Sequence, residues 1–268
     1  MSESERIALI GWGAIGRRVA GLLSRRKCPV EIAAIAVRDR AVIRPDLPQG
    51  ALLIDDPKDI AATGVTLVVE MAGRSSVFPY GMAALSHGMD FAVSSTSAFV
   101  DADCLLQLQR LAAEKRCKLI IPPGALGGID ALGAAARLPV DRVEHRITKP
   151  AKAWQGTPAA QLIDLEEISE PTVIFSDSAR AAADAFPQNA NVAVITALAG
   201  IGLDRTRVTL VADPDADSNL HEIFAEGAFG NMQLRFENAP LSTNPKSSEM
   251  TALSLVRMIE SRVAALVV

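Results

Sequence analysis

The sequence is poor in aromatic residues: Phe, Trp and Tyr together make up 4% of its 268 positions. Its core must therefore come mainly from Ala, Val, Leu and Ile, which suits helices laid on a buried parallel sheet. Cysteine is scarce too. Cys28, Cys104 and Cys117 are an odd number with no C-x-x-C pair. That speaks against a disulfide framework or a structural zinc and fits a reducing cytoplasm. Positive charge is not in excess, with 27 Lys and Arg against 31 Asp and Glu and a net charge of −4. Nothing in that balance suggests nucleic acid or an anionic membrane as a partner. No apolar run reaches the roughly 18 residues of a transmembrane helix. The opening MSESERIALIGWG lacks the pattern of a secretory signal. Histidine occurs three times only, so any chemistry that needs an imidazole has few candidates.

The length suits two domains of ordinary size. Hydrophobic residues make up 49% and charged residues 22%, the balance of a globular protein. Short apolar runs at 6–10, 30–37, 65–70, 90–94 and 117–121 read as strands. Helical patterns run to about Arg26, from about Ser76 to Ser86, and from Asp101 to about Arg116. This alternation predicts a Rossmann, doubly wound parallel sheet over 1–121. The rhythm changes after Pro122-Pro123-Gly124. A helix around Gly128–Arg137, a strand over 142–149, a helical stretch over 178–200 and strands at 206–212, 219–226 and 229–236 predict an α+β domain with an open mixed sheet over 122–244. Leu253, Val256, Ile259, Val263 and Leu266 recur at helical spacing. They predict a final helix over 245–268 that packs back on the first domain.

Gly11-Trp12-Gly13-Ala14-Ile15-Gly16 matches G-x-G-x-x-G directly after the first strand, where a helix opens. Gly11 suits the tight turn, Gly13 lets a pyrophosphate approach the backbone, and Gly16 lets helix and strand pack closely. Ala14 and Ile15 open the helix, whose N-terminal N–H groups favour phosphate. The position that reads the adenosine ribose lies about 20 residues further on, at the end of the second strand. Arg38 and Asp39 stand there. An acid suits a 2′-hydroxyl and an Arg a 2′-phosphate, so use of both NAD and NADP is predicted, beside the reading of two solvated loop charges. Gly73 ends the third strand, either as a close approach for the nicotinamide ribose or as an ordinary turn. Ser94–Ala98 ends the fourth and borders the same crevice.

Hydride chemistry at an amine-bearing carbon needs a group that titrates near neutrality, and His is the natural one. His87 falls at a helix C-terminus and reads as structural. His145 lies within an alternating strand and reads better as a sheet-face residue than as a site residue. His221 lies early in a strand, two residues after Asn219, so both side chains leave the same face. His221 is the predicted acid/base and Asn219 a predicted substrate contact. Arg146, Lys149 and Lys152 lie on or beyond the strand at 142–149, with Lys149 at its exit before Pro150. Lys149 is the substrate-binding candidate, either for a carboxylate or as a solvated strand end. Asn189 and Asn191 flank a helix start and suit either a ligand or a cap.

These segments together resemble the aspartate dehydrogenase family. The likeness is carried by Gly11–Gly16, the run Pro122–Asp130, Phe186–Val192, Ala197–Gly202, Asp204–Val208, Ala212-Asp213-Pro214, Asn219–Ile223, Glu237-Asn238 and Asn244-Pro245-Lys246. The resemblance implies a reversible NAD(P)-dependent oxidative deamination of L-aspartate to iminoaspartate or oxaloacetate plus ammonia, with NAD biosynthesis as one outlet. It implies His221 as the active-site histidine, Ala125 and Asn191 as cofactor contacts, and a homodimer. Pro123 departs from the pattern, since similar sequences usually carry Ser there.

Other readings stay open. An aldehyde dehydrogenase of the aspartate-semialdehyde type needs a thiolate nucleophile, and all three cysteines fall in the predicted dinucleotide domain. A dihydrodipicolinate-reductase-like enzyme would share the architecture, but its paired-histidine helix is missing. A dinucleotide-binding redox sensor needs only the first domain.

Overall fold

The computed structural model describes residues 5–187 and 190–268. The chain divides into two compact units. One comprises residues up to Pro122 together with Thr251–Val268, and the other Pro123–Met250.

In the first unit β1 (Glu5–Ile10), α1 (Ala14–Arg25), β2 (Val30–Ala36), β3 (Leu52–Ile54), β4 (Leu67–Glu70), α2 (Arg74–Ser86), β5 (Asp90–Val93), α3 (Ala102–Lys115) and β6 (Leu119–Ile120) follow in turn. The six strands pair in the order β3-β2-β1-β4-β5-β6, all parallel. This is a doubly wound sheet whose order reverses between β1 and β4. Its core is mainly aliphatic, as the shortage of aromatics requires: Ile7, Leu9, Val19, Leu23, Ile35, Leu67 and Val69 form one buried cluster with Trp12, and Phe91 and Phe99 are also buried in this unit. β3 went unread in the sequence because it is three residues long and opens on the half-exposed Leu52.

The second unit contains α4 (Ile129–Ala135), β7 (Val140–Pro150), α5 (Ala159–Leu162), β8 (Thr172–Ser178), α6 (Ala179–Ala185), α7 (Asn191–Ala199), β9 (Arg207–Asp213), β10 (Asn219–Gly227), β11 (Gly230–Asn238), β12 (Pro240–Leu241) and β13 (Asn244–Ser248). Five strands form a sheet in the order β11-β10-β7-β9-β8. β7 and β9 are parallel and the other pairs antiparallel, so the sheet is mixed and open. The helical stretch expected over 178–200 is two helices. Pro187, just past α6, lacks the N–H that would continue it.

The final helix is shorter than the periodicity suggests. Asn244–Ser248 pairs as a strand, and α8 spans Glu249–Glu260. Ala252, Leu255, Val256 and Ile259 join the cluster around Ile7 and Val19. Beyond Glu260 the apolar positions are not buried: Leu266 is 78% exposed. Arg262 ends the segment by pairing with Glu5 and Asp90, each at 2.6 Å.

Candidate active site

The crevice at the reversal of strand order is built by the ends of β1 and β4. Gly11 has φ +104°, and a Cβ there would stand 2.9 Å from the Cα of Ala72. A Cβ on Gly16 would stand 2.4 Å from the carbonyl oxygen of Gly11. Both positions exclude any larger residue. Gly13 differs, since its Cβ would meet nothing within 4 Å. That is open space beside the start of α1, where Ala14 and Ile15 begin the helix without a side-chain cap or an acidic first turn. The room and the uncapped N–H groups fit a dinucleotide pyrophosphate. Gly11, Gly13 and Arg38 line a cavity of about 470 Å³ together with Arg44, Ser75 and Tyr80. Gly73 lines a neighbouring cavity of about 790 Å³ with Arg38 and Arg74.

Arg38 and Asp39 do different things. Arg38 lines both cavities. The Asp39 carboxylate accepts from the Ala41 N–H at 2.8 Å, and its carbonyl accepts from Arg44 Nη1 at 2.9 Å. The loop is held further along by Asp46, which accepts from Trp12 Nε1 at 3.2 Å and Arg17 Nε at 2.6 Å. Arg44 and Asp46 were missed in the sequence, where 38–50 is only a Pro- and Gly-bearing loop.

The end of β4 holds a second unread group. Glu70 is fully buried. Its carboxylate accepts from the N–H groups of Ala72 and Gly73, both at 2.8 Å, and from Ser76 Oγ at 2.9 Å. Ser95 adds its N–H and its Oγ, both at 3.0 Å. One carboxylate thus sets the turn at Gly73 and ties it to the end of β5.

In the second unit, strand register collects the polar groups. His221 lies opposite Ile147, and His145 opposite Ile223. Alternation then puts His145, Lys149, Asn219 and His221 on one face of the sheet. Lys149 is 9% and His221 2% exposed. The Lys149 ammonium lies 5.4 Å from the centre of the Trp154 ring. Burial pushes the Lys149 pKa down to about 8. Burial, and then the charge of Lys149, push that of His221 down to about 3. Arg146 points away from this face and is exposed, and so is Lys152. The basic trio at the strand exit reduces to Lys149.

His145 is fully buried and is a sheet-face residue, the reading preferred from the sequence, but the face it shares is that of His221. Its Nε2 lies 3.3 Å from His221 Nδ1, and its Nδ1 lies 3.0 Å from Thr196 Oγ1 on α7. Periodicity marks it as inward-facing, but only the register against β10 shows what it meets. His87 caps α2 with Nδ1 2.8 Å from the Ala83 oxygen.

The run 125–128 lies against the same sheet face. Cβ atoms on Gly127 and Gly128 would stand 2.6 Å from Phe236 and 2.8 Å from Leu234. Asn238 Nδ2 donates to the Ala125 oxygen at 2.9 Å and fixes this run to β11. The Pro123 oxygen accepts from the Leu126 N–H at 3.1 Å, a turn contact made by backbone alone. Asn191 is the first residue of α7. Asn189 lies outside the described residues. The three cysteines are free thiols, and burial raises the pKa of each. None is poised as a thiolate, which removes the support for semialdehyde chemistry.

Residues 130–262 match the family model described as aspartate dehydrogenase, C-terminal, and residues 11–122 match the homoserine dehydrogenase NAD-binding domain. The L-aspartate dehydrogenase of Brucella anthropi is 70% identical over 268 residues, all of both chains. The chain belongs to the aspartate dehydrogenase family. The L-aspartate dehydrogenase of Cupriavidus taiwanensis is 40% identical over 261 residues, 96% of this chain and 97% of that one. Among solved structures, aspartate dehydrogenase from Thermotoga maritima superposes with a TM-score of 0.77 at 28% identity, covering 98% of this chain and 99% of that one. Membership makes the chain an oxidoreductase with a nicotinamide dinucleotide. Among the described residues no helix is long and apolar enough to cross a membrane, and no group of three or more His, Cys, Asp or Glu is placed to hold a metal ion.

Proposed function

We propose that this chain oxidatively deaminates L-aspartate. One L-aspartate, one oxidised NAD or NADP and one water give oxaloacetate, ammonium, the reduced dinucleotide and a proton, by way of iminoaspartate. The observation that carries the reading is a buried ammonium, Lys149, on the same sheet face as a buried neutral imidazole, His221. A cation buried on the same face as a candidate proton acceptor is a common mark of a functional site, and its charge suits a substrate carboxylate.

In the first unit Gly11, Gly13, Ala14, Ile15, Gly16, Arg38, Asp39 and Gly73 would hold the dinucleotide, and in the second Ala125 and Asn191 are the contacts that the family resemblance implies. The bound nicotinamide supplies the acceptor for the hydride leaving Cα. Lys149 holds a substrate carboxylate, and the Asn219 amide helps orient the substrate. Burial depresses His221 most and the charge of Lys149 next. Pairing Lys149 with a substrate carboxylate offsets the second of these and returns part of the imidazole's basicity. His221 takes a proton from the substrate ammonium, which frees the nitrogen lone pair that pushes hydride from Cα. The same ring then handles protons as water adds to the imine and ammonia leaves. The free thiols of Cys28, Cys104 and Cys117 support a cytoplasmic setting. We expect a homodimer, checked by sedimentation equilibrium.

The test is absorbance of the reduced nicotinamide with L-aspartate and NAD or NADP, against D-aspartate, L-glutamate and L-alanine. Reduction with L-aspartate alone is expected. His221→Ala should abolish turnover and leave dinucleotide binding within a few-fold. Full activity in that variant would remove His221 from the mechanism.

A further inference from the structure

Thr196, His145 and His221 form a buried chain that ends at the proposed base. Thr196 is 0%, His145 0% and His221 2% exposed. Thr196 Oγ1 lies 3.0 Å from the Val192 oxygen, one turn back along α7, and 3.0 Å from His145 Nδ1. His145 Nε2 lies 3.3 Å from His221 Nδ1. A hydroxyl has one hydrogen to give. A mid-helix Thr commonly gives it to the carbonyl four residues back. Its oxygen then accepts, so His145 Nδ1 must carry a hydrogen. In a neutral ring Nε2 is then an acceptor, and the hydrogen between the rings belongs to His221 Nδ1. That leaves His221 Nε2 with its lone pair.

From this geometry we infer that His145, backed by Thr196, is a positioning residue that fixes His221 in the tautomer with a bare Nε2. The inference rests on His221 being the acid/base. As the His221 ring gains a proton at Nε2, its Nδ1–H becomes the donor of a charge-assisted bond to His145. A neutral imidazole in that place supports the imidazolium without adding a negative charge beside a substrate that already carries two carboxylates. An Asp there would support the cation more strongly and oppose the dianion.

The first test needs no turnover. With three histidines in the chain, protein labelled with ¹⁵N-histidine gives three ring pairs, assigned through His87→Gln and His145→Gln. We expect protonated Nδ1 and bare Nε2 in both His145 and His221 near pH 8. A proton on Nε2 of either ring would overturn the inference. It would leave His221 as a site residue, a separate matter decided by His221→Ala.

The second test is kinetic. His145→Leu should lower kcat by about 10²-fold with KM for L-aspartate changed little. His145→Gln, whose amide oxygen can accept from His221 Nδ1, should recover most of that loss. Thr196→Val should show the same split in milder form. Equal losses in the Leu and Gln variants, or a fall in cofactor binding to match, would mark His145 as packing only. If His145→Leu does not fold, the ring spectrum of the unaltered protein still decides.

Discussion

Ser95, at the end of β5, gives both its N–H and its hydroxyl to the carboxylate of Glu70, at the end of β4, each at 3.0 Å. The same carboxylate takes three more donors from the turn at Ala72–Ser76. Carboxylate oxygens accept, and the N–H groups of Ala72, Gly73 and Ser95 can only donate. Glu70→Gln puts an NH₂ among those donors and leaves at least one buried group unpaired, a cost of about 1–3 kcal/mol. Urea unfolding should show that loss. Dinucleotide titration should show weaker binding, because Gly73 and the serines move together. An unchanged midpoint would mean the turn is held by other contacts.

Lys149 gives a second prediction. Lys149→Met keeps the length and contact with Trp154 but removes the charge. Loss of a charge-assisted contact to a substrate carboxylate is worth about 1.5–3 kcal/mol, or roughly 10- to 100-fold in KM for L-aspartate. Dinucleotide affinity should stay within a few-fold. Steady-state kinetics and a binding titration separate the two. An unchanged KM would return Lys149 to a structural role.

The doubly wound sheet was readable because its cause is local. Five of the six strands read as short apolar runs, β3 being the exception, and helical stretches separate most of them. The glycine fingerprint was readable because its spacing is a steric rule seen in Gly11 and Gly16. Asn219 and His221 share a face by alternation alone. The His145–His221 pairing was not readable, because it depends on the register between β7 and β10, which are separated by most of the second unit. Glu70 was hidden for a similar reason: two of its five donors come from Ser95, 25 residues away. The final helix was overextended because the apolar spacing continues past Glu260, where Leu266 is exposed and the helix has ended.

Arg38 lines both cavities of the dinucleotide crevice, whereas the Asp39 carboxylate is engaged by the Ala41 N–H. Of the two, Arg38 is the one left facing open space, so the proposed reading gives it the 2′-phosphate of NADP. Arg38→Ala should raise KM for NADP by roughly 10- to 100-fold, the worth of one hydrogen bond to a charged group. KM for NAD should move by less than about threefold, within the range of a lost surface contact. Parallel kinetics with the two dinucleotides check this. Equal losses would place Arg38 on a part common to both.

The buried imidazoles predict how stability depends on pH. The pKa of His221 falls from 6.5 to about 3 in the folded chain, chiefly by burial and then by Lys149, and that of His145 falls well below 6.5, by burial and then by His221. Below pH 6.5 the unfolded chain binds protons that the folded chain refuses. Stability is therefore full above about pH 6.5 and declines as the pH drops through the unfolded value. Once the unfolded rings are fully protonated, each costs about 1.4 kcal/mol per pH unit. Urea unfolding between pH 7 and 5 samples this window above the carboxylate range. His221→Asn removes one of the two rings and should make the decline shallower. A flat profile in the unaltered protein would mean that both rings take up protons as freely folded as unfolded, and would remove the basis for a neutral His145–His221 pair.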